Sequence, residues 1–273
     1  MTILQADFYK YSLNNPEKTV QWQLLICDSQ GEIIHDATCQ QSDANANWLI
    51  VQLKPIINKY SPDFIQVFRP QCVGLLTVAC EALGILIEPT RRTSKLKEIL
   101  QQRYNTSNYN PVKLEQLPPQ ALPENLWGDQ WRFASFKADE IVDYFSDHPI
   151  PIIDFPQILN PFNLGIPSSI NIPGVVIYGG KKSIYLARWL AENKPVSLTH
   201  IPTQVNQSGG LILESGLIDR WVLLTFDDAE MSQSAQQYES RKQASQGLHF
   251  LVVQPDDTGM TYSGVWLLRN EEI

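Results

Sequence analysis

The sequence predicts an α/β protein of two domains, with mixed sheets flanked by helices. Three observations carry this. Within residues 1–105 the apolar patterns run as a hairpin followed by alternating helix and strand lengths, which is an α/β order. The 273 residues are 43% hydrophobic and 18% charged, enough apolar matter for a packed core and a length that suits two ordinary domains. Between 106 and 124 the composition shifts to Asn, Ser and Gln with Pro111, Pro118, Pro119 and Pro123, which reads as a linker. The expected organisation is an N-terminal domain over 1–105, a proline-rich linker over 106–124 and a C-terminal domain over 125–273.

In the first domain, Val20–Cys27 puts Trp22, Leu24 and Ile26 on one strand face. Asp28-Ser29-Gln30-Gly31 is turn chemistry, and Glu32–Thr38 reads as the returning strand. Asn47 is the expected cap of a helix through Lys59, which Pro55 should kink or split. Asp63–Phe68 is a short apolar strand between Pro62 and Pro70. Gln71–Leu83 is nearly all apolar and predicts a buried helix stopped by Gly84. Ile85–Glu88 reads as another buried strand, and Thr93 is placed to cap a helix over 94–103. A sheet with an antiparallel side and a parallel side follows, an arrangement similar to a ribonuclease-H-like sheet.

The second domain opens with the aromatic-rich Leu126–Phe133, expected as a strand, then a proline-rich stretch over 149–173. Val175–Tyr178 reads as a buried strand, Ser183–Glu192 as an amphipathic helix and Pro195–Ile201 as a strand. Leu211–Phe226 predicts a hairpin turning near Gly216, and Ala229–Gln246 a polar helix ended by Gly247. Leu248–Gln254 and Gly264–Leu268 are the last strands.

No apolar run reaches the ~18 residues of a membrane span; the longest, Cys72–Cys80, stops at Glu81. The opening MTILQADFYKYS has no basic n-region and no cleavable apolar stretch, and it is not Arg/Ser-rich. Neither a secretory signal nor a transit peptide is expected, so the chain reads as a bacterial cytoplasmic protein or as a mature organellar one, with cytoplasmic the predicted location. The four cysteines (Cys27, Cys39, Cys72, Cys80) form no Cys-x-x-Cys pair and read as reduced, mostly buried thiols. None of the four histidines has the spacing of a zinc site. A formal net charge of −8 argues against a cationic coat for nonspecific nucleic-acid binding and leaves room for a local basic patch.

Catalysis finds little support. Metal-dependent nuclease chemistry needs carboxylates converging on magnesium, yet Asp28, Glu81 and Glu88 form no set, and the middle strand ends in Phe68-Arg69-Pro70. Gly-x-Ser-x-Gly is absent. Gly174–Ser183 departs from the phosphate-loop spacing at Lys182, so triphosphate binding is not expected. Lys181 and Lys182 at a helix start remain candidates for holding a phosphate. No catalytic residue, metal ligand or cofactor is predicted. The best basic cluster is Pro89–Lys97, with Arg91, Arg92 and Lys95 between a strand end and a helix start; Arg69 on the neighbouring strand end could join it. Among the seven tryptophans, an exposed one beside a basic patch would be a base-stacking platform.

Several short motifs, taken in order, resemble one family. They are Phe68–Gln71, Pro89–Thr93, Leu122–Asp129 with Trp131, Pro173-Gly174, Trp189-Leu190, Leu213–Gly216, Asp219–Trp221, Gly247–Leu251 and Gly264–Leu268. Together they resemble the Tab family of cyanobacterial and plastid A/U-rich-RNA-binding proteins over nearly the whole chain. The resemblance implies binding of single-stranded A/U-rich 5′ leaders of photosystem messenger RNAs, promotion of their translation and no catalytic activity. Ribosomes or other translation factors would be further partners. It also implies an RNA-binding region at Trp266, Leu267 and Leu268. Strand alternation gives Trp266 and Leu268 one face and Leu267 the other, so at least one side should be core. The expected RNA-binding set is Arg69, Arg91, Arg92, Lys95, Trp266, Leu267 and Leu268. The missing transit peptide favours the cyanobacterial branch. Two alternatives stand beside this reading: a protein-interaction scaffold for photosystem biogenesis, and a degenerate metal-dependent nuclease-like fold.

Overall fold

The computed structural model describes residues 2–11, 21–105, 109–204 and 207–270; Val20 of the first expected strand and 106–108 of the expected linker lie outside them. The chain divides into two compact units, Met1–Glu115 and Gln116–Ile273.

The first unit contains β1 (Ile3–Tyr11), β2 (Gln21–Asp28), β3 (Ile33–Gln40), α1 (Ala46–Tyr60), β4 (Phe64–Val67), α2 (Pro70–Ala82), β5 (Leu86–Pro89) and α3 (Ser94–Tyr104). Its sheet order is β3-β2-β1-β4-β5, antiparallel from β1 through β3 and parallel from β1 through β5. The central strand β1 is absent from the expected elements, although its period-two pattern is plain once sought. Leu4, Ala6 and Phe8 join Leu24, Ile26, Ile65 and Val67 in a core covered by α1 and α2. Gln5 and Asp7 take the other face, where the Gln5 Oε1 accepts from the Leu96 amide of α3 at 3.0 Å.

Three local expectations need correction. The α1 cap is Asn45, whose side chain accepts from Trp48 N, because the helix starts at Ala46, one residue before Asn47; Pro55 lies inside it without splitting it. β5 is an edge strand with Leu86 73% exposed, not a buried one. Thr93 precedes α3, but its hydroxyl makes no capping bond.

The second unit contains β6 (Gln120–Ala121), β7 (Gln130–Lys137), α4 (Ile141–Ser146), β8 (Ile153–Asp154), β9 (Asn171–Tyr178), α5 (Ser183–Asn193), β10 (Pro195–Gln204), β11 (Ser208–Ser215), β12 (Asp219–Phe226), α6 (Ala229–Ala244), β13 (Leu248–Gln254) and β14 (Gly264–Arg269). One sheet runs β10-β11-β12-β6, the other β7-β9-β13-β14-β8. The second sheet is covered on both faces. Val175, Ile177, Leu251, Val253, Trp266 and Leu268 face a core shared with α5, α6 and the first sheet. Val176, Phe250, Val252 and Leu267 face a second core closed by α4 and the proline-rich loops. The expected linker is used structurally at both ends: Val112 and Leu114 are buried in the first unit, and β6 pairs with β12 in the second.

Candidate nucleic-acid interface

The basic cluster of the first unit is built largely into the protein. Arg69 follows β4, where a guanidinium reaches back across the sheet to Asp7 of β1. Its Nε donates to Asp7 Oδ1 at 3.0 Å, and its Nη2 donates to Asp7 Oδ2 at 3.1 Å and to Pro111 O at 2.7 Å. The guanidinium also lies 3.8 Å from the Tyr9 ring centroid. Arg69 is 4% exposed and Asp7 is fully buried, so this pair bolts β1 to β4 and to the segment around Pro111. Removing one partner of such a pair typically costs about 3–5 kcal/mol. Thr90 N donates to Val67 O, which sets the two loops side by side as the strand order requires. Arg91, however, is nine-tenths buried, and Lys97 donates to Arg91 O. Lys95 pairs with Glu98, one turn on. Arg92 is half-buried. The expected residues are brought together, with Arg69 committed to Asp7 and Arg91 buried, while Arg92 and Lys95 stay partly exposed.

Trp266, Leu267 and Leu268 occupy an internal strand and are 1%, 1% and 0% exposed. The structure turns Trp266 and Leu268 into the core beneath α5 and Leu267 into the opposite core, the alternation expected of a strand. No side chain of the three reaches the surface. A Cβ added at Gly264 would meet the Trp266 ring at 2.4 Å and Ala187 Cβ of α5 at 3.2 Å, so strand and helix meet closely there. Ser263 Oγ donates to Ser183 Oγ at 2.8 Å, fixing the start of β14 to the start of α5.

What α5 carries outward is the more accessible surface. Ser183, Leu186, Ala187 and Leu190 are buried, which leaves Lys181, Tyr185 and Arg188 along the opposite side at spacings of four and three. Lys181 and Lys182 sit in the 3-10 turn Gly180–Lys182, both exposed, and Tyr185 is 60% exposed. The turn is tight. Gly180 has φ +53°, which favours glycine, and the exposed Asp129 carboxylate lies close by, 2.5 Å from where a Cβ would stand. Glu192 lies at the far end of the helix. Asp256 and Asp257 border the turn through the loop whose Pro255 O accepts from Gly180 N. Asp256 is turned into its own loop, accepting from Thr258 N.

Beside α5 opens a cleft of about 450 Å³. Its floor includes Ile177, Leu186 and Leu223, and its walls include Trp127 and Trp131 on one side and Val222 and Thr225 on the other. Gly128 lets the chain pass close over β9, since a Cβ there would stand 2.4 Å from Ile177 Cγ2. Trp127 is 54% exposed and is pinned by its Nε1–H donating to Leu122 O at 2.8 Å. Sequence reasoning did not single out Trp127 or Tyr185 as contact residues; the signal was the Leu-Trp-Gly-Asp motif beside a second aromatic. The arrangement combines fixed aromatic faces, an apolar slot and cations, the elements that hold unpaired bases and their phosphates.

Other chemistry is less favoured by the environment. Burial pushes the Cys27 thiol up to about 12, with Asp28 and Glu98 adding to it, and burial alone lifts Cys80 to about 11. Both are poor nucleophiles at neutral pH. Among the described residues, no group of three or more His, Cys, Asp or Glu side chains is placed to hold a metal ion, and no helix is long and apolar enough to cross a membrane.

Comparison with known proteins agrees with an RNA-contacting role. A protein titled "Protein TAB2 homolog, chloroplastic" from Arabidopsis thaliana is 28% identical over 287 residues, covering 97% of this chain and 73% of its own length. Its namesake from Zea mays is 26% identical over 280 residues, covering 97% and 70%. A chain of the cryo-EM structure of the simian T-cell lymphotropic virus intasome in complex with PP2A regulatory subunit B56 gamma aligns over 50% of this chain and 62% of its own. The TM-score of 0.26 and 16% identity are too low to carry an argument. The family described as RNA-binding protein Tab2/Atab2 N terminal matches residues 3–103, and RNA-binding protein Tab2/Atab2, C-terminal domain, matches 109–269. With both parts matched in order across almost its full length, the chain belongs to the Tab2/Atab2 family of RNA-binding proteins.

Proposed function

We propose that this protein binds single-stranded A/U-rich RNA, acts on the 5′ leaders of photosystem messenger RNAs in the cytoplasm and promotes their translation, with ribosomes or translation factors as further partners. It works by binding, without catalysis or cofactor. The observation that carries the reading is a face of the second unit where a cleft walled by exposed Trp127 lies beside α5, with exposed Tyr185 on that helix and exposed Lys181 and Lys182 in the turn that precedes it. Fixed aromatic rings suit bases that unstack easily, as in A/U-rich leaders, and a local cation rim suits a chain whose net charge of −8 repels RNA elsewhere. Arg92 and Lys95 take a secondary part, and Arg69, Arg91 and the Trp266-Leu267-Leu268 strand contribute by holding the fold. The antiparallel and parallel halves of the first sheet support a ribonuclease-H-like reading of that unit, used as a scaffold.

Fluorescence-anisotropy titration with a short A/U-rich single strand and a G/C-rich control, at two salt concentrations, tests this. Wild type should prefer the A/U-rich strand and weaken as salt rises. Lys181→Ala/Lys182→Ala should lose roughly tenfold in affinity and flatten the salt slope by about two phosphate contacts. Absence of binding at micromolar protein would sink autonomous RNA binding and favour the scaffold.

A further inference from the structure

Resting on the reading that this protein binds RNA, we propose that Arg132 and Tyr178 form a site for one phosphate of the RNA backbone, at the edge of the second sheet. β7 is the outermost strand of that sheet. Trp131 packs against the core shared with α5, so Arg132 lies on the opposite face, where it is exposed. There its Nε donates to the Tyr178 hydroxyl at 2.6 Å. Tyr178 ends β9 and is 8% exposed, so the anchor is fixed by the fold.

The arrangement leaves donors without acceptors. Among the described residues, the bond to Tyr178 is the only one the guanidinium makes, and no carboxylate pairs with it. Both Nη groups stay open, a planar fork that matches two oxygens of one anion. The Tyr178 oxygen accepts from Arg132, and its own O–H meets no acceptor among the described residues. At this end of the sheet Asp129 lies against Gly180 and Asp256 accepts from Thr258, so neither neutralises the fork. The neighbouring polar side chains close on one another: Gln254 bonds to Tyr262, and the Tyr262 and Tyr144 hydroxyls lie 2.8 Å apart. Arg69, paired with Asp7, is spent on the fold; Arg132, held by a neutral hydroxyl, keeps its charge for a ligand. The position also suits a ligand, since Tyr178 and Gln254 end the parallel strands β9 and β13. Tyr178 O accepts from Asp129 N at 2.7 Å, so the same residue ties down the segment that carries Trp127. Trp127 lies five positions before Arg132, at most about 18 Å along an extended chain. One single strand stacked on Trp127 and crossing the β7 edge spans that with a few nucleotides.

The test titrates the whole chain, with 15N-labelled arginine, by a short A/U-rich strand and separately by inorganic phosphate. The Arg132 Nε–H signal, identified by its loss in Arg132→Gln, should move with the strand at micromolar concentrations and with inorganic phosphate only at millimolar ones. In anisotropy titrations Arg132→Gln should weaken RNA binding about tenfold and lower the salt slope by about 0.7, the value of one single-strand phosphate. Tyr178→Phe keeps the ring and the charge, so it should weaken binding about threefold with the slope unchanged. Both variants should melt with the wild type, because Arg132 is exposed and phenylalanine preserves the packed ring. Wild-type affinity and slope in Arg132→Gln, or an Nε–H signal that neither ligand moves, would overturn the site. The two readings fail separately. If the wild type binds no RNA while inorganic phosphate moves the signal, RNA binding falls and the phosphate site stands. If RNA binds and Lys181→Ala/Lys182→Ala weakens it while Arg132→Gln does not, the site falls and RNA binding stands.

Discussion

Trp266 and Leu267 are neighbours in sequence and equally buried, yet they serve different cores. Trp266 underlies α5, which carries Tyr185 and Arg188 and follows the turn bearing Lys181, whereas Leu267 packs toward α4 and the proline-rich loops. Cutting either to alanine opens a cavity: about 3–5 kcal/mol for Trp266→Ala and about 2–5 kcal/mol for Leu267→Ala. Their effects on RNA should diverge. Measured by thermal melting and anisotropy at a temperature where both remain folded, Trp266→Ala should weaken RNA binding along with stability. Leu267→Ala should keep affinity within about twofold. Equal losses of affinity would mean that the strand acts only through global stability. The alternation itself was legible, because period two needs only the order Trp-Leu-Leu. Whether the residues reach the surface was not, since burial on both faces depends on what covers the sheet. Arg69 makes the same point: the residue was visible as a cation at a strand end, but its partner Asp7 lies 62 positions away.

At the scale of elements, α6, β10 and β13 are tied by a buried polar network. Lys242, 1% exposed, donates from Nζ to Leu198 O at 2.8 Å and pairs with Glu239, whose Oε1 also accepts from His200 N. His249 Nε2 accepts from Leu198 N at 2.8 Å, and its Nδ1 donates to Gly247 O. Burial, reinforced by the Lys242 charge, lowers His249 from the ordinary 6.5 to about 3, with the Gly247 bond opposing. The folded state therefore holds this imidazole neutral while the unfolded chain protonates it. Its contribution is complete above pH 6.5 and is lost as pH falls toward 3, at up to about 1.4 kcal/mol per pH unit for one proton. Urea unfolding between pH 7 and 5 should reveal this slope in wild type and a shallower one in His249→Gln; identical slopes would contradict the assignment. Most elements were legible from periodicity and turn residues, including the hairpin at Gly216 and the helix stop at Gly247, both at positive φ. β1 was missed because its polar face, Gln5 and Asp7, breaks the apolar run that marked the other central strands. β5 was misjudged because Ile85-Leu86-Ile87 looks buried, whereas its place at the sheet edge is a tertiary fact.

At the scale of the molecule, the two units hold their candidate cations differently. In the first, Arg69 is buried against Asp7, while Lys95 pairs with Glu98 at the surface and Lys97 donates to Arg91 O. In the second, Lys181 and Lys182 stand exposed in the turn before α5, near exposed Tyr185. Composition alone could not separate these cases, because a lysine in a salt bridge and a lysine on a rim read identically in sequence. The motif around Trp127 was legible as a family mark and the Lys181-Lys182 helix start as a phosphate candidate, but that the two lie on neighbouring parts of one unit required the fold. The most direct measurement is photocrosslinking of a 4-thiouridine-substituted A/U-rich strand to the full-length protein, with the linked peptides mapped by mass spectrometry. Cross-links should concentrate on the segments containing Trp127 and Lys181–Arg188. Cross-links confined to the first unit, around Arg91 to Arg103, with none on those two segments, would contradict the assignment of the RNA face.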